Sequence, residues 1–170
     1  MLKLQLFTFL LVAQLTPNLS AQGGPPAGYS WIQNPSNGHF YALTPTYMTW
    51  AQAAATADSL GPSTELVTIR NSAENDWISI NVTNASAWIG LSDEVNEGVW
   101  LWRSGEPFVF SSWAQGQPNN GFSGEDYAGT NNGIGQPGKW FDDSDTNTLK
   151  AIFEFISEDA DNDGLLDVDE

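Results

Sequence analysis

The chain reads as an α+β domain in which two helices pack on short antiparallel strands and one long polar loop interrupts the strands. Three observations predict this. Helix starts stand at Thr49 and Asn71, each with Gln or Glu three residues later. From Ala87 onward, apolar words of three to five residues alternate with polar stretches. Between Ala114 and Lys139 the chain is rich in Gly, Asn and Gln and nearly free of apolar residues. A length of 170 residues with 41% apolar and 12% aromatic side chains suits one domain with a real core.

At the N-terminus, Lys3, the apolar run Leu4–Leu15 and the small-residue site Leu19-Ser20-Ala21 read as an export signal over residues 1–21. The run is too short to span a bilayer, which takes about 20 residues. Residues 22–30 form a Gly/Pro-rich linker, and the domain occupies residues 31–157. His39–Leu43 has strand character and is ended by Pro45. Thr49-Trp50-Ala51-Gln52 is a capping box opening a helix that stops at Gly61, with Trp50, Ala53, Ala57 and Leu60 on one face. Leu66–Ile69 reads as a buried strand. Asn71 then caps a second helix, with Glu74 at the capping-box position and Trp77, Ile78 and Val82 directed at the core. Trp88–Leu91, Val99–Trp102, Phe108–Phe110 and Ala151–Phe155 are the later strands. Trp88, Trp100, Trp102 and Trp140 are assigned to the core, and His39 to packing or surface rather than catalysis.

Charge removes whole classes of function. Five basic residues against 21 acidic ones give a formal charge of -16, which repels nucleic acid and anionic lipid surfaces and favours a bound divalent cation. The absence of Cys excludes thiol catalysis, iron–sulfur clusters and disulfides. One histidine is a poor basis for a zinc enzyme or a Ser-His-Asp triad.

Several words in the second half occur in a telling order: Trp88-Ile89-Gly90-Leu91, Ser92–Gly98, Trp113, Gln117-Pro118-Asn119-Asn120, Gly124-Glu125-Asp126 and Trp140-Phe141-Asp142. In this order and spacing the chain resembles a C-type lectin domain from roughly Trp31 to Ser157. The resemblance implies that family's fold, two helices packed on strands with a long calcium-organised loop. The residue types agree, because calcium takes about six to eight oxygen ligands and this loop offers amides and carboxylates. An X-Pro bond is cis at modest cost, and a cis Pro118 turns Gln117 and Asn119 toward one site.

By resemblance, the positions of the sugar-binding calcium site are Gln117, Asn119, Glu125 and Asp142, and Asp93, Glu97, Asn120 and Asp126, with Glu125 shared, fall at the auxiliary calcium site. Phe122, on the same loop, is a candidate for stacking on a sugar face. The chain departs from the pattern at Phe141, where the family usually carries a ligating Asn: either the site loses a ligand, or the backbone shifts so that Asp142 and Asp143 fill the two places. The stretch from Glu125 to Trp140 is longer than in typical members. Positions that hold disulfide cysteines in the family carry Tyr127 and Phe153, which implies aromatic packing in place of a crosslink.

Residues 158–170 form an acidic tail. Asp159, Asp161, Asp163, Gly164, Asp167 and Glu170 occupy positions 1, 3, 5, 6, 9 and 12 of the EF-hand loop pattern. With no preceding helix, the tail resembles the calcium loops of thrombospondin type 3 repeats. The expected function is that of a calcium-dependent, carbohydrate-binding, non-catalytic protein, secreted or at the cell surface, with calcium as cofactor and a glycan or glycoconjugate as partner. A protein- or surface-binding adhesive module on the same fold is the alternative, and a glycoside hydrolase a remote one.

Overall fold

The computed structural model describes residues 24–121, 124–131 and 136–157. The export signal, Phe122 and the acidic tail lie outside the described residues. The described chain runs β1 (Ile32–Gln33), β2 (Phe40–Leu43), α1 (Trp50–Ser59), β3 (Thr64–Leu66), α2 (Ser72–Asn81), β4 (Ala87–Ser92), β5 (Leu101–Trp102), β6 (Tyr127–Thr130), β7 (Phe141–Asp143) and β8 (Lys150–Phe155). This is the expected α+β architecture.

Both helices start where the sequence places them. Thr49 accepts from the Gln52 N–H while Gln52 accepts from the Thr49 N–H, so two otherwise unpaired donors of the first turn are satisfied. The helix ends at Ser59 with Leu60 as its C-cap, and the chain then turns at Gly61, whose φ of 117° favours a residue without Cβ. Asn71 accepts from the Glu74 N–H at 3.0 Å. The Glu74 side chain, however, does not close a capping box. Its Oε1 accepts from the Tyr41 hydroxyl at 2.7 Å and its Oε2 from the Arg70 N–H at 2.7 Å. The buried carboxylate is thus shared between a tertiary donor, the Tyr41 hydroxyl, and the backbone just before the helix.

The strands lie in the order β1-β2-β8-β4-β6-β7, with β3 on β8 and β5 on β4. All pairs are antiparallel except β4 and β8, which run parallel through Ala87↔Lys150 and Trp88↔Ala151. The long excursion from β4 through β7 supplies the crossover that a parallel pair requires. Tyr41, Val67, Ile69, Ile78, Ile89, Leu91, Trp100, Trp102, Trp140 and Ile152 form one apolar cluster. Trp50, Ala53, Ala57, Leu66, Trp88 and Phe153 form a second beneath α1. The four tryptophans assigned to the core are all buried, Trp88 and Trp140 completely.

Three local expectations are corrected. The third strand covers Thr64–Leu66, and Val67–Ile69 continues as buried irregular chain whose Val67 N–H donates to Ile152 O at 2.9 Å. Phe108–Phe110 is not a strand; Phe108 and Phe110 pack edge-on against Trp102 and Trp140, so ring burial rather than ladder bonding fixes the segment. The polar stretch Ala114–Lys139 contains strand β6, which the composition around it conceals. Beyond β6, buried Asn131 donates to Thr83 O and Ala85 O and accepts from the Gly138 N–H, clamping the long stretch at its base.

Candidate functional site

The loop that carries Gln117 is fastened to the strand that carries Asp142. Trp140 donates its N–H to Ser112 O at 2.9 Å and accepts from the Ala114 N–H at 2.8 Å, while the Trp113 and Trp140 rings meet edge to face at 5.8 Å. Ala114 O then accepts from the Gln117 N–H at 3.0 Å. The Gln117-Pro118 bond is cis.

Three of the positions assigned to the sugar-binding site, Asn119, Glu125 and Asp142, come together here, and Gln117 precedes the cis proline of the same loop. The Asn119 N–H donates to both Asp142 oxygens, at 3.0 and 2.9 Å, and the Asn120 N–H to Asp142 Oδ2 at 2.6 Å. The Gly121 N–H donates to Glu125 Oε2 at 2.7 Å. Asn120, at a φ of 45°, accepts on Oδ1 from the N–H groups of Gly124 and Glu125, folding the tip back on itself. Gln117 Oε1 is buried and has no hydrogen-bond partner among the described residues. A buried oxygen in that state is a cost unless something electropositive faces it.

The auxiliary positions lie beside this loop. The Asp93 N–H donates to Asp126 O at 3.1 Å, and Asp93 Oδ2 accepts from the Gly98 N–H at 2.8 Å. Its other oxygen, Oδ1, is buried without a partner among the described residues. Burial, reinforced by the Asp126 charge, lifts the Asp93 carboxyl above its ordinary range. Desolvation and the Asp93 and Asp126 charges do the same to Glu97. Burial and the charges of Asp142 and Asp143 raise Glu125 against the opposing Gly121 N–H. Each shift has the sign expected where desolvation and neighbouring carboxylates disfavour the charged form.

Strand alternation separates Asp142 from its neighbours. Asp142 faces Ala128 across the β6–β7 pair, whereas Phe141 pairs with Gly129 and Asp143 with Tyr127 on the opposite face. The Phe141 ring lies directly on Gly129, where a Cβ would stand 2.5 Å from Phe141 Cζ. Asp143 accepts from the Ser144 N–H and from Asn147 in the turn after β7, and reaches the loop as a like charge on Glu125. Strand pairing thus sets Asp142 and Asp143 on opposite faces of β7, with Asp143 still near enough to Glu125 to act on its charge.

One constellation was not anticipated from the sequence. His39 Nδ1 lies 2.6 Å from Glu154 Oε1, and the ligand atoms of His39, Glu74 and Glu154 all lie within 4.8 Å of one another. These residues do not suit a metal ion, because Arg70 Nη1 already sits 2.7 Å from Glu154 Oε1 and 3.2 Å from Glu74 Oε1 and would repel it. The guanidinium is the counter-ion of a buried acidic group tying β8, α2 and β2 together. The Arg70–Glu74 spacing of four residues was its visible trace.

Residues 46–155 match the family model of the lectin C-type domain, and the chain belongs to the C-type lectin family. It is similar to lectin BRA-3 of Megabalanus rosa, with 34% identity over 125 residues that cover 74% of this chain and 74% of that protein. Among solved structures, the cow C-type carbohydrate-recognition domain of CD23, determined in the presence of GlcNAc2Man3 oligosaccharide, superposes with a TM-score of 0.66 at 25% identity, covering 78% of this chain and 98% of that one. A calcium-independent type II antifreeze protein superposes with a TM-score of 0.67 at 23% identity, over 78% of this chain and 94% of that one, and shows the shared fold alone. C-type lectins are a non-catalytic family, so the glycoside-hydrolase alternative is set aside. No described helix is long and apolar enough to cross a membrane.

Proposed function

We propose that the chain is a calcium-dependent carbohydrate-binding protein whose calcium is held by Gln117, Asn119, Glu125 and Asp142. The observation that carries this reading is the buried, unpartnered Gln117 Oε1 beside a loop whose other oxygens come from Asn119 and Glu125. An oxygen-only donor set with two carboxylates suits calcium, whose charge those carboxylates balance. Bound there, calcium would supply a Lewis-acid contact for two neighbouring sugar hydroxyls. The protein's part is to hold those oxygens and to offer the same side chains to the hydroxyl protons. The names of its relatives support carbohydrate as the ligand. Asp93, Glu97, Asn120 and Asp126 form the auxiliary calcium site in this reading, supported by the unpartnered Asp93 Oδ1.

The test is a glycan array probed with and without EDTA. Calcium-dependent glycan signal supports the reading; its absence, with calcium bound, favours the protein- or surface-binding module. Phe141 is the observation that favours this second reading, since it removes a side-chain oxygen at the position the family uses. Export through residues 1–21, placement outside the cell or on its surface, sugar stacking by Phe122 and a calcium loop formed by Asp159, Asp161, Asp163, Asp167 and Glu170 belong to the same proposal. Truncation after Glu158 is expected to lower calcium stoichiometry by a single ion.

A further inference from the structure

Gly121 sits between two of the residues that supply oxygens to the loop. Its N–H donates to Glu125 Oε2 at 2.7 Å. A Cβ on its Cα would stand 2.8 and 2.9 Å from Glu125 Oε1 and Oε2 and 3.0 Å from Asn119 Oδ1. Three oxygens of two ligand candidates therefore crowd the face of Gly121 where every other L-residue carries carbon. The demand is for space, because Gly121 is not among the glycines with positive φ and any residue could adopt its backbone. With a methyl group present, Glu125 is the neighbour that gives way: its side chain reaches the surface, and turning outward disturbs no core packing. The turn takes its carboxylate away from Asn119.

We propose that Gly121 is a positioning residue for the cation: its N–H fixes the Glu125 carboxylate, and its missing Cβ lets that carboxylate and Asn119 Oδ1 close on one point. This rests on the calcium reading above. The sequence pattern does not reveal it, since a glycine in a Gly- and Asn-rich loop looks like a flexible turn residue. Gly121 instead excludes a side chain from the place where the site's oxygens meet.

The test is calcium titration by calorimetry on the full chain, with melts in EDTA beside it. Gly121→Ala is expected to weaken the loop calcium by about tenfold or more and to lower glycan binding with it, while melting in EDTA stays at the wild-type temperature. Gly124→Ala, where an added Cβ meets no described atom within 4 Å, is expected to lose far less. Equal losses at the two glycines, wild-type calcium affinity in Gly121→Ala, or an equal drop in melting temperature with and without calcium would each overturn the assignment. Should Gly121→Ala not fold, amide exchange in the wild type decides: the Gly121 N–H is expected to gain protection on adding calcium, and unchanged exchange overturns the proposal. Wild-type protein that binds no calcium overturns the calcium reading itself and this inference with it. A Gly121 result that fails while the wild type binds calcium overturns the inference alone.

Discussion

The Asn120 N–H donates to Asp142 Oδ2 at 2.6 Å, joining the tip of the loop to the middle strand residue of β7 across 22 residues of sequence. Asp142 is 4% exposed, so its charge is held almost wholly by the N–H groups of Asn119 and Asn120. Bonds to a buried charged acceptor contribute about 1.5–3 kcal/mol each when lost. Asp142→Ala should therefore destabilise the calcium-free protein by about 2–3 kcal/mol, read as a lower urea midpoint in EDTA. An unchanged midpoint would mean that the loop holds its shape without Asp142.

Calcium should stabilise the folded chain. The loop has few apolar anchors, and in the calcium reading a bound cation offsets the charges that raise Asp93, Glu97 and Glu125. A ligand at 100 times its dissociation constant contributes about 2.7 kcal/mol. Melts in millimolar calcium and in EDTA are expected to differ by several degrees, with the shift shrinking in Gln117→Ala. Superimposable melts would remove the calcium site.

Stability in EDTA should fall as pH rises toward neutrality. Glu65 on β3 lies directly opposite Glu154 on β8, and burial, followed by the Glu154 charge, pushes the Glu65 carboxyl up to about 7 from 4.5. The folded state therefore holds this proton more tightly than the unfolded state. Its stabilising contribution is complete below the unfolded value and is lost as pH climbs through the folded one. Urea midpoints measured at pH 5 and pH 8 are expected to drop across that interval, and Glu65→Gln to flatten the drop. A midpoint that rises from pH 5 to pH 8 equally in both proteins would contradict the assignment to Glu65.

Aromatic packing holds Phe153 and Tyr127, the two positions where the resemblance implies cysteines. Phe153 is fully buried against the α1 cluster that includes Ala57, with the Tyr29 ring 5.4 Å away and Trp31 and Phe155 continuing the aromatic chain. Tyr127 packs on Trp50 at 4.7 Å and donates to Glu94 at 2.8 Å. Phe153→Ala should cost about 3–5 kcal/mol, the usual range for emptying a buried aromatic site. A loss below 1 kcal/mol would place the stabilisation elsewhere.

The sequence was most legible where one local rule decides. Thr49 and Asn71 cap helices because their side chains satisfy the first-turn N–H groups, and that chemistry is written within four residues. The lectin words around Gln117 and Trp140 carried the fold because their order fixes which strand returns to which loop. Strand β6 escaped because Tyr127–Thr130 is short and includes Gly129, whose place in the ladder depends on the Phe141 ring across from it. The group formed by His39, Glu74, Glu154 and Arg70 escaped for a related reason. Its members lie up to 115 residues apart, and no spacing joins His39 to Glu154 until β2 pairs with β8.

In the carbohydrate-binding reading, sugar preference follows from the chemistry of the loop. In the family, Glu-Pro-Asn accompanies mannose-type and Gln-Pro-Asp galactose-type sugars, and Gln117-Pro118-Asn119 is neither. Relative to the first pattern, the amide at Gln117 removes one negative charge and turns an acceptor into a donor. Relative to the second, the amide at Asn119 makes the same exchange on the other side of the proline. Phe141 removes a further oxygen, since its ring is committed to the backbone of Gly129 on the face away from Asp142. The expected monosaccharide affinity is therefore in the millimolar range, about -4 kcal/mol, with useful avidity arising from multivalent display. Gln117→Glu should strengthen mannose binding and Asn119→Asp galactose binding, each measured by calorimetry in saturating calcium. If neither substitution moves sugar affinity while calcium stays bound, the sugar does not sit on this calcium, and the protein- or surface-binding reading takes its place.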